Sequence, residues 1–213
     1  ALVALSGCSG THSQTVATPG TFKTAASVGV VAVIEVDTSG SVASNTDLLA
    51  AAQNRLSELV GRMPVGGKVV LRAFNSNVTA VCNEVVYTLP AQKNPDSETK
   101  LREANQADVP ARFKALIDCS LKNDKHATEL FGGLAETFRA HPDAEILDTY
   151  TDGCENVNVD VCNPDRLHDS SYPQKVLSEL PVALTPPLST SVAITFHGVG
   201  RGTLLFIDEI HRF

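Results

Sequence analysis

The chain has 213 residues, is 19% charged and 43% hydrophobic, and carries a formal net charge of -7. That length suits one well-buried domain with room for an insertion, and the acidic balance offers no basic footprint for nucleic acid. No run of roughly 18 apolar residues is present to cross a membrane as a helix.

In chain order, the apolar residues 1–7 end in Leu5-Ser6-Gly7, and Cys8 follows. This resembles the lipobox of a bacterial lipoprotein signal peptide. The resemblance implies a signal remnant over 1–7, lipidation and membrane attachment at Cys8, a flexible Ser/Thr/Gly tether over 8–26, and an extracytoplasmic place in the bacterial cell envelope. The alternative is an apolar N-terminus with an ordinary cysteine. Setting Cys8 aside leaves Cys82, Cys119, Cys154 and Cys162. An even number in an exported chain implies bridges, with three possible connectivities. The short loop favours Cys154 with Cys162, which leaves Cys82 with Cys119. No CxxC pair or His at ligand spacing supports zinc.

Val30 to Val36 is an almost unbroken β-branched run, suited to a strand buried on both faces. Asp37, Ser39 and Ser41 follow at alternate positions. One carboxylate and two hydroxyls at a strand's carboxyl end are hard donors suited to Mg²⁺, Mn²⁺ or Ca²⁺. A helix N-cap is the competing explanation. Asp47 to Gly61 alternates at helical spacing, with Asn45 or Thr46 to cap it. Lys68 to Phe74 and Val78 to Leu89 read as strands. The polar, Pro-punctuated stretch 90–125 reads as a surface insertion with one or two short helices, the clearer over Ala111 to Leu121. Thr128 to Ala140 is a further helix and Glu145 to Tyr150 a strand ending in Thr151-Asp152-Gly153. Asn156 to Tyr172 is a polar loop, Gln174 to Leu180 a short helix, and Ser191 to His197 a last strand. Strand–helix–strand alternation predicts an α/β fold in three layers: a mostly parallel central sheet with helices on both faces.

DTSGS after the first strand, Thr128 in HATELFGGL and Asp152 in TYTDG resemble, in order and context, the von Willebrand factor type A domain with its metal-ion-dependent adhesion site. The resemblance spans residues 27–200. It implies that Asp37, Ser39, Ser41, Thr128 and Asp152 ligate one divalent cation, Mg²⁺ foremost. It also implies that a partner protein supplies an acidic side chain to the open coordination position. A Gly commonly precedes the family's Thr, and here Ala127 stands there. For Thr128 the competing role is a helix cap, and for Asp152 a turn-initiating Asp before Gly. His126 reads as a loop residue with no orienting partner, not a catalytic base.

The segment 201–213 is harder to place. LLFIDE, with Asp208 and Glu209, resembles the Walker B segment of AAA+ ATPases. A nucleotide site also needs a phosphate loop. At the only Gly-Lys, Gly67-Lys68, Arg62 and Val69 replace the required Gly and Ser/Thr. The tail then reads as an amphipathic cover for the sheet or as foreign sequence. Together these features predict an exported, lipid-anchored, metal-dependent binding module with no catalytic activity. The alternatives are an AAA+ fragment or ATPase helper, and a structural domain whose metal site is empty.

Overall fold

The structure is a computed structural model, and it describes residues 31–76, 82, 84–123, 127–167, 169–185 and 192–199. Its centre is β1 (Val31–Asp37), buried at every position. Neighbouring residues point to opposite sides of a strand. Ala32, Ile34 and Val36 therefore join one core, and Val31 and Val33 join another. This double burial explains why the run is apolar without alternation.

Around β1 the described strands form one sheet in the order β3-β2-β1-β4-β5. β2 (Lys68–Phe74) and β4 (Ala144–Tyr150) flank β1 in parallel, and β5 (Ala193–His197) runs parallel outside β4. The outer strand β3 (Val85–Thr88) pairs antiparallel with β2. It occupies the end of the predicted strand 78–89; residues 77–81 and 83 lie outside the described part.

Helices cover both faces, as the alternation predicted. On one face lie α1 (Gly40–Ala43), α2 (Thr46–Arg62) and α3 (Pro95–Leu121), whose Val42, Leu56, Leu59, Phe113 and Ile117 pack over Ile34, Val36 and Leu71. On the other, α4 (Leu130–Ala140) sets Leu130, Leu134 and Phe138 against Val31, Val33 and Phe74. Gly133 lets α4 approach closely, since a Cβ there would stand 3.0 Å from the Phe74 ring. Asn45 caps α2 by accepting from the Leu48 N–H at 3.1 Å. The helix then runs through Gly61 to Arg62 instead of stopping at the glycine.

The expected surface insertion is a correction. Residues 95–121 form one long helix, and Val109, Phe113, Leu116 and Ile117 are buried in the core beside α2. Pro110 lies inside it. Short helices α5 (Pro164–Leu167) and α6 (Tyr172–Glu179) and a 3₁₀ turn at Val182–Leu184 lead towards β5.

Two disulfides, Cys82–Cys119 and Cys154–Cys162, have Cα separations of 6.0 and 5.3 Å. Both pairings are those expected. Cys8 and the tail with Asp208 and Glu209 lie outside the described residues. Among those described, no helix is long and apolar enough to cross a membrane.

Candidate metal centre

The strand order locates the site. From β1 the chain passes to β2 and β3 on one side, and β4 and β5 lie on the other. In an open α/β sheet the crevice between strands whose connections diverge is where ligands sit, at the carboxyl edge. Here that crevice lies between β1 and β4. Their register pairs Val36 with Tyr150, so Asp37 and the segment Thr151-Asp152 leave the sheet side by side.

Hydrogen bonds knit the two strand ends together. Asp37 Oδ1 accepts from the Ser39 N–H at 2.8 Å, and Asp37 Oδ2 accepts from the Thr151 hydroxyl at 2.8 Å. The Ser41 hydroxyl donates to Asp152 Oδ2 at 2.6 Å, across 111 residues of sequence. The other oxygen of Asp152 accepts the Cys154 N–H at 3.0 Å, and Gly153 takes the left-handed φ of 87° that the turn needs. Asp152 thus starts a turn with one oxygen and faces Ser41 with the other.

The capping alternatives are answered by position. Ser39 stands at the N-cap of α1, but its side chain makes no capping bond. Its Oγ is buried with no hydrogen-bond partner of acceptable geometry, although it lies near enough to Asp37 to favour the charged carboxylate. Thr128 precedes the cap of α4, which is Glu129. Thr128 is buried and held by the loop after Asp152: its N–H donates to Asn156 Oδ1 at 2.7 Å, and its carbonyl accepts the Asn156 N–H at 3.0 Å. The next residue anchors the segment to β2, with the Glu129 N–H donating to the Asn75 carbonyl at 3.0 Å. The structure therefore brings Asp37, Ser39, Ser41 and Asp152 together directly and joins Thr128 to them through that loop. His126 lies outside the described residues.

Among the described residues no counter-charge pairs with the two carboxylates of the site. Burial, reinforced by the nearby charge of Asp152, pushes Asp37 up to about 7 against the opposing hydrogen bonds from Ser39 and Thr151. None of the ion pairs among the described residues involves Asp37 or Asp152. No group of three His, Cys, Asp or Glu among the described residues is placed to hold a metal. A cation here would depend on two carboxylates supplemented by hydroxyls. That donor set, with a buried hydroxyl that makes no well-formed hydrogen bond, fits a hard divalent ion.

Three residues near the site were not singled out from the sequence. Thr151 bridges Asp37 and the Gly153 N–H. Thr38 bonds the Phe74 carbonyl and, at 2.6 Å, the Ser120 hydroxyl near the end of α3. Glu155, fully buried, accepts three backbone N–H groups. Only the polar character of Thr151, between a buried strand and Asp152, hinted at a role. The chain matches no protein-family model and no curated protein at a significant level.

Proposed function

We propose that this chain is a metal-dependent protein-binding module of the von Willebrand factor A type, working outside the cytoplasm. One observation carries the reading. Asp37 and Asp152 leave adjacent strand ends at the crevice between β1 and β4 and raise each other's cost of ionisation, no basic side chain pairs with either among the described residues, and the buried Ser39 hydroxyl is turned to Asp37 without a well-formed hydrogen bond. A divalent cation held by Asp37, Ser39, Ser41, Thr128 and Asp152, Mg²⁺ foremost with Mn²⁺ or Ca²⁺ as rivals, would neutralise the pair and leave a coordination position for a partner's acidic side chain. The protein's own contribution is preorganisation: Thr151 and the Ser39 N–H fix Asp37, and the turn at Gly153 aims Asp152 at Ser41. Both disulfides support an oxidising compartment. Attachment through a lipid on Cys8 is proposed on the sequence pattern alone.

The test is a melting series in EDTA, Mg²⁺ and Mn²⁺, beside a pull-down of surface proteins in the same three conditions. A ligand that binds only the folded state at 100 times its Kd adds about 2.7 kcal/mol. The wild-type midpoint should rise with either cation, and partner capture should fail in EDTA. A midpoint indifferent to all three conditions would leave a structural domain with no functional cation site.

A further inference from the structure

The loop after Asp152 is built as a clamp. Its ends are joined by Cys154–Cys162. Inside it, Glu155 is fully buried. Glu155 Oε1 accepts the N–H groups of Val157 and Asn158, each at 2.9 Å, and shapes the loop. Its Oε2 reaches out of the loop to the Phe131 N–H in the first turn of α4, at 3.1 Å. Its carbonyl accepts the Val161 N–H at 2.9 Å, close to the second cysteine. The neighbouring Asn156 exchanges two hydrogen bonds with Thr128, at 2.7 and 3.0 Å, and so grips the backbone of that residue from both sides.

A buried carboxylate is costly unless its acceptors are used. Here its three side-chain bonds among the described residues go to backbone, and one crosses to the helix that follows Thr128. We propose that Glu155 and Asn156 are positioning residues of the cation site, holding Thr128 at a fixed distance from Asp152. The proposal rests on the cation reading above. Its physical basis is that ligands from separate chain segments bind one ion only if something outside the ligand set fixes their spacing, and such outer partners commonly govern affinity.

The experiment measures Mn²⁺ affinity by calorimetry on the full chain with its disulfides intact. The variants are Asn156→Ala, Asn156→Asp, Glu155→Gln and Thr128→Ala, together with the doubles that combine Thr128→Ala with Asn156→Ala or Glu155→Gln. Loss of an outer partner typically costs about 10- to 100-fold in affinity. Asn156→Ala and Glu155→Gln should each weaken Mn²⁺ binding by at least 10-fold when Thr128 is present. Neither should weaken it further when Thr128 is already Ala. Asn156→Asp keeps the acceptor for the Thr128 N–H and should bind at least as tightly as the wild type. General destabilisation would not reproduce this dependence on Thr128. Should Glu155→Gln fail to fold, the exposed Asn156 decides the matter alone. Wild-type affinity in Asn156→Ala, or an equal loss in the Thr128→Ala background, overturns the positioning role. A wild-type chain that does not bind Mn²⁺ overturns the cation reading and this inference with it.

Discussion

Replacing Asp37 with Ala would strand the Ser39 N–H and the Thr151 hydroxyl in a buried place, at about 1–3 kcal/mol for each unmet group. Asn keeps the shape and an acceptor, so Asp37→Asn is the cleaner probe. In EDTA its melting point should equal or exceed that of the wild type, because repulsion from Asp152 is relieved; the rise given by Mn²⁺ should vanish. Protonation supplies a second check. Burial, opposed by Thr137, Arg72 and Thr149, raises Glu35 to about 7 from 4.5, and Asp37 rises to about 7 from 3.8. Between those values the folded chain holds protons that the unfolded chain releases, so metal-free stability should fall as pH rises through that window. Urea midpoints in EDTA should show the slope, and Asp37→Asn and Glu35→Gln should each flatten it; a rising wild-type slope would contradict the assignment. Asp148, held low because His197 and Arg55 outweigh its burial, acts in the opposite sense only below its ordinary value of 3.8. Cation affinity should climb across pH 7, since the ion competes with the Asp37 proton. Asp37, Ser39, Ser41 and Asp152 were legible because small oxygen-bearing residues at the ends of apolar runs stand out. That Asp37 is fully buried was not legible, and neither were Thr151 and Glu155, whose roles come from register and from a loop fold that spacing does not encode.

Among the elements, β1, α2, β2, α4 and β4 could be read because each shows one period over its length. The long helix α3 could not. Its first half is mostly solvated apart from the partly buried Leu101, with pairs such as Arg102–Glu98 at 2.9 Å, four residues apart. The fully buried positions begin only at Val109, and Pro110 beside it looks like a stop. Half a stripe averaged over a long helix leaves almost no amphipathic signal. The buried half makes a sharp prediction. Phe113→Ala should cost about 3–5 kcal/mol in urea unfolding, as for an aromatic in a core. A solvated insertion would stay within about 0.5 kcal/mol. The C-terminal part of the same helix reaches the carboxyl edge, where Ser120 meets Thr38 and Asn75.

For the molecule as a whole, the disulfides weigh heavily. Cys82 and Cys119 are 37 residues apart and Cys154 and Cys162 are 8 apart. Chain-entropy arguments assign such loops about 4 and about 2.5 kcal/mol. Domains of ordinary stability have only about 5–15 kcal/mol in total. Reduction should therefore lower the urea midpoint steeply, with most of the loss traced to Cys82–Cys119 when the cysteine pairs are replaced by Ala one pair at a time. Unchanged midpoints under reductant would show that the core alone suffices and would weaken the case for an oxidising compartment.

The buried Glu35 bears on how the chain reaches this state. β1 finds one neighbour in β2, but the other, β4, begins 113 residues after it (144 − 31). Until β4 arrives, VAVIEV is a β-prone apolar segment with an open flank, the kind that recruits copies of itself. In the unfolded chain Glu35 has its ordinary value of 4.5 and is ionised at neutral pH. A charge within such a segment acts as a gatekeeper against aggregation. Its cost falls due only in the finished core, where Thr137 accepts the burden by donating a hydrogen bond at 2.7 Å. Glu35→Val should then give a native state at least as stable but a poorer refolding yield. Light scattering on dilution from urea at neutral pH would reveal this, and equal scattering for the two chains would refute it. On the expected outcome, the residue that looks like a flaw in the central strand would be what keeps the strand soluble until its partners exist.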